Sequence, residues 1–199
     1  MKVLILGGFL GSGKTTALMK LARYLVDRGA ADKATSVMIL ENEVGAVGID
    51  DKYLRSGGLN VSNLFSGCAC CSVSGELTVA ARRIEREIDP EWLIVETTGV
   101  AYPRNMQENL RHALGIEARI CVLTDASRWR RLLTPMNGLL RGQIEGSDAV
   151  IINKCDLADE DALASIEQDI LGFEPNARIH RISALGEVSD AVWAQITGE

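Results

Sequence analysis

The stretch GFLGSGKT, Gly8 to Thr15, satisfies G-x-x-x-x-G-K-[S/T] in full, follows the apolar run KVLIL and opens a segment with helical periodicity. Glycines at positions 8, 11 and 13 let backbone N–H groups close around phosphate oxygens, and a helix starting there adds the positive end of its dipole. Lys14 is placed to reach β- and γ-phosphates and the Thr15 hydroxyl to hold Mg²⁺, with Ser12 and Thr16 completing the lining. A ligand-free glycine turn is the bland alternative; the position between a strand and a helix argues against it. The base is addressed by IINKCDL, where Asn153, Lys154 and Asp156 follow a second apolar run. A carboxylate at Asp156 accepts two hydrogen bonds from the N1–H and exocyclic amine of guanine. Adenine offers no such pair and would leave those acceptors unpaired. Ser183 and Ala184, in ISAL after the next apolar run, stand where a loop can support the base, so GTP is expected over ATP. Between the two lies LIVETTG. Glu96 ends an apolar strand, where a buried charge wants a partner such as Mg²⁺ or its water, and Gly99 can bring its backbone to a γ-phosphate. The bland reading of Glu96 is a carboxylate capping the next turn.

Cys68, Cys70 and Cys71 put three of the chain's five cysteines within four positions. Thiolates combined with an oxygen donor suit a tetrahedral Zn²⁺ or Co²⁺. Adjacent side chains diverge from extended backbone, so two or three of the cysteines would ligate. A strained, reducible disulfide is the redox alternative, and a structural role is the third. Cys121, in the middle of RICVLTD, and Cys155, the variable residue of NKCD, are expected to be small buried hydrophobes. His112 and His180 are isolated and read as surface or core residues. The run RWRR, Arg128 to Arg131, reads as a solvated helix face.

These residues need a frame. Short apolar runs (KVLIL, TSVMIL, LNVSNLF, WLIVE, ARICVLTD, DAVIIN, RIHRIS) alternate with amphipathic segments near 14–27, 75–88, 127–131, 136–145 and 159–170, after Pro103, and from Glu187. That alternation predicts an α/β fold, a doubly wound, mostly parallel sheet with helices on both faces. Several of the runs are apolar throughout, as strands covered on both sides must be. At 199 residues and 47% hydrophobic, the chain is long enough to bury a substantial core and reads as one globular domain over 1–199. A net charge of −6 argues against nucleic acid as a partner. No run approaches the length of a membrane span, so no membrane partner is expected. The start, MKVLILGGFLG, imitates a secretory leader until SGKTT puts Lys14 and hydroxyls where a cleavage region should be, so a cytoplasmic location is expected. In that reducing compartment clustered cysteines mean metal or catalysis more often than disulfides.

Taken in order, GGFLGSGKTT, ENEVGAVGID, GCACC, ETTG and NKCD resemble the CobW-like metal-chaperone P-loop GTPases, relatives of the nickel-insertion GTPases UreG and HypB. The resemblance spans essentially the whole chain. It implies slow, Mg²⁺-dependent GTP hydrolysis to GDP, nucleotide-dependent homodimerisation, and delivery of Zn²⁺, Co²⁺ or a similar ion to a client metalloprotein or cobalamin-related protein. The family's C-x-C-C motif falls on Cys68, Cys70 and Cys71, and its additional oxygen ligand on Glu41. Two departures from the family pattern stand out: Ala46 occupies the place of a second acid, and the sequence stops at Glu199 where members commonly continue into a C-terminal domain, often with a histidine-rich stretch, so that domain is expected to be absent or the chain shortened. ENEVGAVGIDD occupies the place of a switch loop, in which Asp50 orients the attacking water or an Mg²⁺-bound water, or is only a turn acid. Two readings of other classes remain open: a nucleotide-gated regulatory or thiol redox module assisting a corrinoid enzyme, and a P-loop small-molecule kinase or ligase.

Overall fold

The computed structural model describes residues 1–29, 37–41, 59–63 and 73–198. Among them seven strands form one sheet: β1 (Lys2–Gly8), β2 (Val37–Glu41), β3 (Leu59–Asn63), β4 (Trp92–Glu96), β5 (Ala118–Asp125), β6 (Ala149–Asn153) and β7 (Arg178–Arg181). Their spatial order is β3-β2-β4-β1-β5-β6-β7, and every pair is parallel. The helices are α1 (Lys14–Arg28), α2 (Val73–Glu87), α3 (Pro103–Leu114), α4 (Trp129–Leu133), α5 (Asn137–Ile144), α6 (Glu160–Phe173) and α7 (Asp190–Thr197).

Because side chains alternate across a strand, the apolar runs feed two separate cores. Val3, Ile5, Leu93, Val95, Ile120 and Val122 face α2, α3, α5 and α6, whereas Leu4, Leu6, Ile94, Cys121 and Leu123 face α1 and α7. Helix α1 buries Ala17, Leu18, Leu21, Ala22 and Leu25, an apolar stripe at helical spacing. Helix α6 starts where the Asp159 carboxylate accepts the Ala162 N–H at 2.7 Å. Helix α3 opens on Pro103 and stops at Gly115, whose left-handed φ of 70° lets its N–H return to the Arg111 carbonyl.

Three smaller expectations are revised. The run at 128–131 is no solvated face: Trp129 is buried, its indole N–H donating to Asp169 at 2.8 Å, and only Arg130 and Arg131 are exposed. The helix accordingly begins at Trp129, two residues later than the periodicity suggests. Cys155 is half-buried in a short 3-10 turn, Cys155–Leu157, because the chain bends outward there; Cys121 is fully buried, and burial pushes its thiol up to about 12. His112 is exposed on α3, while half-buried His180 on β7 has its imidazole pushed below the ordinary value by burial and by Arg178.

Helix α7 depends on Trp193, which is buried in the core it shares with α1. Trp193→Ala is expected to lower unfolding free energy by about 3–5 kcal/mol, as a large cavity does, measured by urea titration of the tryptophan-independent circular dichroism signal.

Candidate functional site

A parallel sheet brings the carboxyl ends of all its strands to one edge, and ligands of such sheets bind where the strand order reverses. Here that point is β1, from which the chain runs first toward β2 and β3 and later toward β5, β6 and β7. Five of the strands end there on acids or an amide: Glu41, Asn63, Glu96, Asp125 and Asn153. Glu41 is in register with Glu96 across β2 and β4, and Asp125 with Asn153 across β5 and β6.

The loop leaving β1 wraps into α1. Gly8, at φ 135°, is pressed so closely on the Leu123 carbonyl oxygen that a Cβ would have no room, and a Cβ on Gly13, at φ 95°, would collide with the Asn153 amide. The loop's carbonyls, Gly8 through Ser12, are each met by a side-chain donor. Lys14 Nζ donates to Gly8 O at 3.0 Å and Phe9 O at 3.4 Å. An Arg128 guanidinium N–H donates to Leu10 O at 2.9 Å, Lys154 Nζ to Gly11 O at 2.9 Å, and Asn153 Nδ2 to Ser12 O at 2.8 Å. Turning carbonyls toward cations and amides is what an anion-binding loop requires, since its concave face is then left to N–H groups. At the helix entrance the Thr15 hydroxyl lies 3.4 Å from Glu96 Oε1, a pair of hard oxygen donors of the kind Mg²⁺ accepts.

The segment after β6, in which the sequence predicts a base reader, is bonded to that loop. Asn153, buried at the end of β6, uses Oδ1 to accept the N–H of Lys154 and of Ala184, both at 2.8 Å, while its Nδ2 holds Ser12. Lys154 adopts a left-handed φ of 60° where the chain turns out of β6; Asp156 is exposed and Ser183 half-buried. The Cys155 N–H donates to Ile182 O, and the Gly186 N–H to Ser183 O, closing the turn that carries Ser183 and Ala184. Gln143 from α5, buried, donates to the carbonyls of Gly99 at 3.0 Å and Ala101 at 3.3 Å, and a Cβ on Gly99 would meet the Leu10 backbone, so the loop after β4 lies against the loop after β1.

Residues 2–181 match the model of the family described as CobW/HypB/UreG, nucleotide-binding domain. The chain belongs to that family. It is 29% identical over 210 residues to a zinc chaperone CobW of Pseudomonas aeruginosa, covering 88% of this chain and 54% of that protein. It is 30% identical to a zinc-regulated GTPase metalloprotein activator 1 of Schizosaccharomyces pombe, covering 94% of this chain and 48% of that one. The chain thus spans about half the length of the curated relatives it matches. In fold it is similar to the Zn(II)-bound YjiA GTPase of Escherichia coli, with a TM-score of 0.69 at 19% identity, over 100% of this chain and 62% of that chain.

Within this CobW-family domain, Gly8, Gly11, Ser12, Gly13, Lys14, Thr15, Thr16, Glu96, Gly99, Asn153, Lys154, Asp156, Ser183 and Ala184 all lie at or just beyond the carboxyl edge. Asp50, Ala46, Cys68, Cys70 and Cys71 lie outside the described residues, and Glu41 is described by its backbone alone. Among the described residues, no three His, Cys, Asp or Glu side chains converge as a metal site would need. Asp125, Arg128 and Gln143 escaped the sequence reading. Only Asp125 carried a signal, an acid ending an apolar strand as Glu96 does.

Asp125 is 5% exposed. Burial alone would raise its carboxyl, but hydrogen bonds from Lys154 and Ser127 and the Lys154 charge together hold it below the usual carboxylate value. With a folded-state value below the unfolded 3.8, its stabilising contribution is complete above pH 3.8 and is lost as pH falls through the folded-state value. Urea unfolding of wild type and Asp125→Asn at neutral pH and below pH 3.8 should therefore show the wild type's advantage shrinking in acid. Asn153→Ala, which strands one carbonyl and two N–H groups, is expected to cost about 2–4 kcal/mol in the same assay.

Proposed function

We propose that the chain is one P-loop GTPase domain that binds GTP, hydrolyses it slowly to GDP and phosphate, and uses the cycle to take up and hand over a transition metal. The observation that carries this reading is the bonding of the loop after β1 to the segment after β6 through Asn153 and Lys154, which sets a phosphate cradle and a guanine reader in one frame. Gly8, Gly11, Ser12 and Gly13 give backbone to the phosphates, Lys14 bears on the β- and γ-oxygens, and Thr16 lies beside them at the helix entrance. Asp156 reads guanine, supported by Ser183 and Ala184. Thr15 and Glu96 would hold Mg²⁺, whose chemistry there is neutralisation of phosphate charge. Gly99 brings backbone toward the γ-phosphate, held by Gln143, and Asp50 orients water.

The metal is cargo. Cys70 and Cys71, with Cys68 and Glu41, form its ligand set; Glu41 supports this reading because its strand ends in register with Glu96, and β3, which precedes the cysteines in sequence, ends beside it at Asn63. Relatives that carry zinc in their names favour Zn²⁺ over Co²⁺. Handover to a client metalloprotein and nucleotide-dependent homodimerisation complete the proposal.

Elemental analysis of untagged protein purified anaerobically is expected to find zinc in the wild type and to lose it in Cys70→Ser/Cys71→Ser, with GTP binding retained in both. A metal-free wild type would defeat the cargo reading. Zn²⁺ titrated against the GDP form and against a form with a non-hydrolysable GTP analogue should give different affinities; equal values would remove the coupling.

A further inference from the structure

One buried carboxylate reaches both halves of the site. Asp125 Oδ1 accepts the Ser127 N–H at 3.0 Å and its hydroxyl at 2.7 Å, while Oδ2 accepts Lys154 Nζ at 2.6 Å. The first pair closes a tight turn, reinforced by the Arg128 N–H on the Asp125 carbonyl at 3.1 Å, and Trp129, plugged into the core, anchors the start of α4. Arg128 is thereby delivered to Leu10 O, with its guanidinium 5.9 Å from the Phe9 ring centre. The second holds Lys154 where the same ammonium meets Gly11 O. Adjacent carbonyls at the apex of the loop thus face two cations, each placed by one oxygen of the same acid.

We infer that Asp125 is a positioning residue for nucleotide binding, acting through Arg128 on the phosphate loop and through Lys154 on both the loop and the guanine reader. The inference rests on the reading that this site takes GTP. The geometry fits that task. Arg128 and Lys154 are only partly buried, and released from the acid their long side chains would regain rotamer freedom in water. The peptide planes at Leu10 and Gly11 would then lose the donors that fix their orientation. The two arms differ in reach: Arg128 touches the phosphate loop alone, so its loss bears on the β-phosphate and spares a nucleoside monophosphate.

The test is a set of dissociation constants for GDP and GMP with wild type, Arg128→Met, Asp125→Asn, Asp125→Ala and Asp125→Ala/Arg128→Met, each checked for folding by thermal unfolding. Arg128→Met should weaken GDP by about tenfold, the scale of one charge-assisted hydrogen bond, and leave GMP within about twofold. Asp125→Asn keeps an oxygen for Ser127 and replaces the one that Lys154 needs, so it should weaken GDP about tenfold and GMP as well. Asp125→Ala should weaken GDP by roughly the product of those two losses, and Arg128→Met should add nothing on top of it. Should Asp125→Ala not fold, the double variant Asp125→Asn/Arg128→Met replaces it, with multiplicative losses expected. Variants that only lower the melting temperature, with GDP and GMP constants unchanged, would overturn the inference while leaving GTP binding intact. A wild type that binds neither GDP nor GTP would overturn the reading beneath it.

Discussion

The amide of Asn153 is the joint on which this site turns. It is buried at the end of β6 and spends its oxygen on two backbone N–H groups and its nitrogen on the Ser12 carbonyl, so three chain segments meet at one planar group. An amide is the side chain that can accept and donate at once from such a position; a carboxylate would repel Ser12 O, and an aliphatic residue would strand all three partners. Because Gly13 is packed against the same amide, the glycine there answers to a tertiary contact as much as to the turn it makes. The loop after β1 and the segments after β6 and β7 are consequently one structure.

Around that joint the loop's shape is imposed from outside. Lys14 draws the first carbonyls, and Arg128, Lys154 and Asn153 draw the next three, so the backbone is oriented by donors from three separate elements. A buried, ionised Asp125 is costly by itself and is tolerated because it is fully paired. The parallel sheet makes this possible. Register puts Asp125 beside Asn153, which places its cation partner Lys154 one residue past its own neighbour.

The placement of the local motifs was legible in the sequence because it follows from their own spacing. Gly8 to Thr15 needs only a strand before it and a helix after it, and Asn153 to Asp156 needs only a strand; both were found where the spacing put them. The alternation of runs likewise gave the doubly wound sheet, and every described strand pair is parallel. Arg128 was misread for the opposite reason. Its partner Leu10 lies 118 positions away, and a run of arginines around one tryptophan has the composition of a solvated face until Asp169 supplies the indole with an acceptor. Gln143 was invisible for the same cause, being an ordinary amide whose role is defined wholly by the carbonyls of Gly99 and Ala101.

The placement of Glu41 bears on how nucleotide and metal would communicate. Its backbone stands one strand from Glu96, about 4.8 Å across a parallel ladder. A sheet interior is close-packed and does not deform continuously, so β2 and β4 act as fixed posts. If Glu96 answers to Mg²⁺ and Glu41 to the cargo ion, the strands cannot carry the message by sliding. Ionised carboxylates carried at matching positions on neighbouring strands interact through space, and a cation drawn to either lowers the repulsion felt by the other. The coupling would then be electrostatic in part and reciprocal by necessity: whatever Mg²⁺ and γ-phosphate do to the affinity of Glu41 for metal, the metal must do to theirs.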